Sequence, residues 1–88
     1  MDKTIFTFRK NATEEVRVTL ETYKGHQLFG IRVWFEDEPG KWAPTRKGIT
    51  LRVDLFPELK RAIEKLEAAI LEAGLLDPED IEQDELAE

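Results

Sequence analysis

From Glu15 to Tyr23 apolar and polar residues alternate. Val16, Val18 and Leu20 fall on one side, and Arg17, Thr19, Glu21 and Tyr23 on the other, which predicts a half-buried strand. Lys24-Gly25 follows as a tight turn, because glycine takes the positive φ that short hairpins need. His26 to Glu36 predicts a second strand, with Phe29, Ile31, Val33 and Phe35 in one row and Leu28, Gly30, Arg32 and Trp34 in the other. The polar run Glu36-Asp37-Glu38-Pro39-Gly40 reads as the next turn. Lys41 to Pro44, around Trp42, predicts a short third strand stopped by Pro44, which cannot donate to a ladder. After a turn at Thr45-Arg46-Lys47-Gly48, Ile49 to Val53 alternates again as a fourth. Thr4 to Phe8 adds an N-terminal arm or extra strand.

Beyond Val53 the period changes. Asp54 reads as an N-cap with Pro57 in the first turn. Phe56, Leu59, Ile63, Leu66, Ile70 and Ala73 then recur at steps of three and four, predicting one long amphipathic helix that ends at Gly74. The early part of that stripe is expected to pack on the sheet and the later part to meet a twin helix. Asp77 to Glu88 holds seven acids and no base, and reads as a disordered or loosely helical tail. The division is 1–13 arm or extra strand, 14–76 domain, and 77–88 acidic tail. The fold class is α+β: a four-stranded curved antiparallel sheet followed by one long C-terminal helix, dimerising through helix and sheet edge. One helix covers one sheet face, and the other is left for water, a partner or a ligand.

Charge makes that second face informative. The whole chain carries −6, yet residues 1–52 hold ten Lys/Arg against seven Asp/Glu, and residues 53–88 hold three against twelve. A mildly basic front is thus joined to a strongly acidic back, an asymmetry compatible with nucleic-acid binding. Alternation places Arg17, Tyr23, His26, Arg32, Trp34, Thr50 and Arg52 on the second face, with Lys24, Arg46 and Lys47 in adjoining turns. Cations neutralise phosphates while rings stack on unpaired bases, each stack worth ~1–3 kcal/mol. The plainer reading, rings covering a sheet and cations conferring solubility, fits the same pattern. Two cations beside Gly48 also suit close approach to a phosphate.

Other chemistry finds little support. The chain has no cysteine and no serine, and His26 is its single histidine. Disulfides, thiolate metal sites and the commonest nucleophiles are therefore excluded, and no enzyme is expected. Glu36, Asp37 and Glu38 lack ligand spacing and read as a solvated turn. No cofactor or metal is implied. Neither a signal peptide nor a membrane span is recognisable, so the expected location is cytoplasmic, nucleoid-associated if the partner is nucleic acid, and the Asn11-Ala12-Thr13 glycosylation pattern is set aside.

Three stretches together carry a family resemblance: Tyr23-Lys24-Gly25-His26, Ile31-Arg32-Val33-Trp34-Phe35, and Pro39-Gly40-Lys41-Trp42-Ala43-Pro44-Thr45-Arg46-Lys47-Gly48-Ile49-Thr50-Leu51. In order and spacing they resemble the core of the positive cofactor four family of transcriptional coactivators, in its compact bacterial or phage form. The resemblance implies a homodimer whose sheets hold single-stranded DNA, with melted duplex or RNA as further candidate ligands. It implies stacking positions at Tyr23 and Phe35, with Trp34 beside Phe35, and phosphate or base contacts at Lys24, Arg32, Arg46 and Lys47. His26 stands where the family often has lysine, and Glu14 where a cation is expected. Phe35 alternates onto the face opposite Arg32 and Trp34, so its stacking role requires a β-bulge or strong twist near Glu36. The alternative function is a protein-interaction module that docks on a protein of the transcription machinery through the aromatic face or acidic tail.

Overall fold

A computed structural model describes residues 2–81. The chain forms two compact units that divide after Phe56. In the first, β1 (Lys3–Arg9), β2 (Glu14–Tyr23), β3 (His26–Glu38) and β4 (Lys41–Arg52) build one curved antiparallel sheet in the order β1-β2-β3-β4. The arm is thus a full edge strand, and the two short strands expected after Gly40 are one. Pro44 and the basic stretch do not stop β4, because β4 is the other edge, where a missing N–H costs no ladder bond.

Register sorts the side chains, since directly paired residues share a face. Val16 pairs Val33, Val18 pairs Ile31 and Leu20 pairs Phe29; Phe6, Phe8, Ile49 and Leu51 extend the same rows. Phe29 is the buried centre of this apolar face, and its ring meets Phe56 edge-on with centroids 5.8 Å apart. Phe6, Phe8, Leu20 and Ile49 on that face remain 43–53% exposed in the single chain.

Two glycines are required by backbone shape. Lys24 and Gly25 both have positive φ, 50° and 82°, which is the two-residue hairpin turn whose twist matches the flanking strands. At Gly48, φ is 154°, and an added Cβ would lie 2.7 Å from the Arg32 Cα, so no side chain fits between β3 and β4.

Asp54 does not cap the helix. It lies inside a 3-10 turn, Val53–Leu55, with its carboxylate 3.5 Å from the Arg52 guanidinium. The helix α1 (Phe56–Glu72) starts after it, and Pro57 near its start leaves no intrahelical bond unmade. Gly74, at φ 73°, closes α1: its N–H donates to the Leu71 carbonyl and the Leu75 N–H to that of Ile70. Along α1, Leu59 and Ile70 are half-buried, whereas Ile63 and Leu66 are 50% and 58% exposed. Asp77–Ile81 is ordered as one helical turn, α2 (Pro78–Ile81), with the Asp80 carboxylate accepting the Asp77 N–H. The rest of the expected tail, 82–88, lies outside the described residues.

Candidate nucleic-acid interface

The face opposite the apolar rows carries the chemistry. Pairings of Arg9 with Glu15, Thr7 with Arg17, Arg17 with Arg32, Glu15 with Trp34, Glu36 with Trp42, and Tyr23 with His26 put these residues on it together. At one end they stack. The Arg17 guanidinium lies 4.0 Å from the centroid of Trp34 and 5.8 Å from that of Trp42, and the Arg9 guanidinium covers Trp42 at 5.3 Å. Backbones of β1 and β4 stand three spacings of about 4.8 Å apart, so Arg9 and Trp42 meet only by leaning inward across the curved face. Arg17 also bonds the Glu15 carboxylate at 2.6 Å. Cation–π contact and ion pair therefore hold its plane against the indoles.

Next to this stack the β3–β4 ladder is interrupted. Arg32 pairs with Gly48 and Trp34 with Pro44, so Thr45, Arg46 and Lys47 stand opposite Val33 alone. The Thr45 hydroxyl fills the break, donating to the Val33 carbonyl at 2.8 Å and accepting the Lys47 N–H at 3.1 Å. Arg32 brackets the bulge, donating to the Thr45 carbonyl at 3.1 Å and to the Thr50 hydroxyl at 3.0 Å. Arg46 and Lys47 are pushed to the rim. Both are exposed, and neither forms a salt bridge among the described residues.

At the opposite end, roughly 27 Å along the strands, Tyr23 is 60% exposed and the Lys24 ammonium lies 5.3 Å from its ring. His26 and Arg52 line a shallow pocket of about 250 Å³ with Gly25, Gln27, Val53 and Asp54. Of the residues singled out from sequence, the face or its rim brings together Arg17, Tyr23, Lys24, His26, Arg32, Trp34, Arg46, Lys47 and Arg52. Phe35 is not brought there. It pairs with Glu14 and Ala43 in the apolar rows, and the irregularity near Glu36 falls after Phe35, too late to turn it.

Trp42 and Arg9 were not anticipated as site residues. The signal existed in the alternation of Trp42 with Ala43 and of Arg9 with Phe8, but only the register shows that the two meet. Glu14 departs from the expected cation in a defined way. Hydrogen bonds from Lys10 and Asn11, at 2.9 and 2.7 Å, with the nearby Lys10 and Lys47 charges, hold its carboxyl below the usual value of 4.5. It anchors the β1–β2 loop. Among the described residues no group of three or more His, Asp or Glu is placed to hold a metal ion, and no helix is long and apolar enough to cross a membrane.

An open antiparallel sheet with a stacked aromatic–cation face, followed by a helix, defines a class of small nucleic-acid-binding domains, and known proteins narrow it. The chain belongs to the family described as Transcriptional Coactivator p15 (PC4), which it matches over residues 10–62. Its structure is similar to that of a PC4 homolog from Burkholderia pseudomallei. That likeness has 29% identity and a TM-score of 0.69, covering 74% of this chain and 88% of that one. A bacteriophage T5 homolog of PC4, implicated in recombination-dependent DNA replication, shares the fold at TM-score 0.68 and 24% identity. Here the coverage is 99% of this chain and 97% of the other. MoSub1, solved as a complex with DNA, matches at TM-score 0.56 and 25% identity, covering 77% and 83%.

Proposed function

We propose that this protein binds single-stranded DNA as a homodimer, with broad sequence tolerance, in transcription, replication or repair, and that it is not an enzyme. The observation that carries the reading is the stack of Arg9, Trp42, Arg17 and Trp34 on one open face, with Arg46 and Lys47 exposed at its rim. Indole rings and guanidinium planes are both surfaces on which unpaired bases stack, whatever their identity. A duplex hides those base faces inside its own stack, whereas a single strand offers them. Rim cations neutralise phosphates and carry no sequence information. The DNA complex of MoSub1 supports a nucleic-acid ligand for this fold.

Support for a dimer comes from the other face. There Phe6, Phe8, Leu20 and Ile49 stand exposed, and along the helix Ile63 and Leu66 are exposed as well; large apolar side chains left open in this way mark interaction surfaces. A second copy that covers the sheet rows, and the helix stripe at Phe56, Leu59, Ile63, Leu66 and Ile70, removes those side chains from water.

Titration with oligo-dT and with duplex of equal length, alongside sedimentation of the free protein, tests both parts. The expected result is a dimer that prefers the single strand, with log affinity falling against log salt by roughly 0.7 per phosphate neutralised. Absence of binding to oligo-dT at low salt overturns the ligand, and a monomer at binding concentrations overturns the assembly.

A further inference from the structure

At the centre of the same face, Gly30 has no side chain, and neighbouring polar groups close over its backbone. It is buried, and it pairs with Thr19 on β2 and Thr50 on β4. The atoms above it are charged or polar: a Cβ on Gly30 would lie 2.9 Å from Glu21 Oε2 and 3.0 Å from Thr19 Oγ1. The Thr19 hydroxyl donates to the Glu21 carboxylate at 2.7 Å, and on the far side the Thr50 hydroxyl accepts from Arg32 at 3.0 Å. A fixed acceptor thus flanks Gly30 on one side and a fixed guanidinium on the other. Among the described residues Glu21 forms no salt bridge, and its second oxygen has no hydrogen-bond partner.

We infer that Glu21 reads a base edge and biases the bound strand toward guanine at the position over Gly30, a refinement that rests on the single-strand reading above. A carboxylate at the centre of a nucleic-acid surface repels phosphate, so the backbone follows the rim cations Lys24, Arg46 and Lys47 while the base points inward. Guanine's Watson–Crick edge presents N1–H and the N2 amino group side by side, two donors that match two carboxylate oxygens. Each of those oxygens has two acceptor sites, so the bond from Thr19 does not exhaust Oε2. Thymine offers one N3–H between two carbonyl oxygens, which the carboxylate repels. In a single strand that edge is free.

The test compares equal-length oligonucleotides, each measured separately: alternating d(TG), the same strand with inosine replacing guanine, oligo-dA, and oligo-dT. Inosine lacks only the N2 amino group, so it separates donor recognition from purine stacking without any protein variant. The unaltered chain is expected to bind d(TG) roughly fivefold to tenfold more tightly than oligo-dT, with the inosine strand in between. Glu21→Gln keeps the shape and removes the charge and one acceptor. It should bring the guanine-to-inosine ratio toward one while oligo-dT binding holds or tightens. Gly30→Ala, which displaces the carboxylate, should act in the same direction. Equal affinity of the unaltered chain for guanine and inosine strands overturns the inference, as does a ratio that survives Glu21→Gln. Failure to bind any of the four strands is a different outcome and removes the single-strand reading itself.

Discussion

Arg9, Arg17 and Arg32 lie on the sheet face with their guanidiniums already engaged, on indoles, a carboxylate, a carbonyl and a hydroxyl. Arg46 and Lys47 sit in the bulge, exposed and without salt bridges among the described residues, and Lys24 in the hairpin turn stands between the two sets, exposed but with its ammonium 5.3 Å from the Tyr23 ring. The two sets look alike as composition, and they do different jobs. Cations on the face are held against the indoles and neighbouring polar groups, and Arg32 in particular brackets the bulge. In the proposed function these stiffen a platform for bases, and the rim cations of the bulge keep their charge for phosphate. A pattern of positive residues is therefore an incomplete guide to which of them meet a ligand; what each guanidinium already touches decides.

The bulge links the sets, so the most damaging change is expected there. Gly48→Ala places a Cβ against β3 and should cost about 3 kcal/mol in denaturant unfolding. A loss below about 1 kcal/mol would show that the β3–β4 approach is looser than described. Next in size, Arg46→Ala with Lys47→Ala should weaken single-strand binding about tenfold and reduce the salt slope by roughly 1.4, two phosphates' worth, with stability unchanged. Arg17→Ala should reverse that profile: about 1 kcal/mol of stability lost and altered tryptophan emission, at an unaltered salt slope. Were Arg17→Ala to move the slope as far as the rim pair does, the division between platform and rim would collapse.

The smallest effect concerns Glu14. Folding lowers its pKa, so its contribution is complete above 4.5 and is lost as pH falls through the lower folded value. Protection of the amides in the 10–13 loop, taken relative to their intrinsic exchange rates, should fall in that acid window and lose that pH dependence in Glu14→Gln.

Much of the sheet was legible along the chain. The β2–β3 hairpin could be placed from the Val16, Val18, Leu20 and Phe29, Ile31, Val33 rows around Lys24-Gly25, because strand alternation and turn chemistry are local. Placing β1 and β4 was harder for the same reason. Phe6 and Phe8 alternate over too few residues to announce a strand, and Pro44 to Gly48 carries the punctuation of a turn although the chain runs straight through it. What restores continuity is the Thr45 hydroxyl bridging to Val33, a contact twelve residues away. In the site, alternation correctly grouped Arg17, Arg32 and Trp34. It had no means of joining Arg9 to Trp42, which meet across two intervening strands.

By itself, then, the order of residues determined the β2–β3 hairpin, the two-faced sheet, the long helix with its stop at Gly74 and the family-bearing segments, all of which follow from backbone periodicity and turn stereochemistry within a few neighbours. Tertiary structure alone decided which cations are held by neighbours, that Arg9 meets Trp42, and that Glu21 lies over Gly30. Those depend on cross-strand register, and register is set by a bulge and a curvature that no short window of sequence contains.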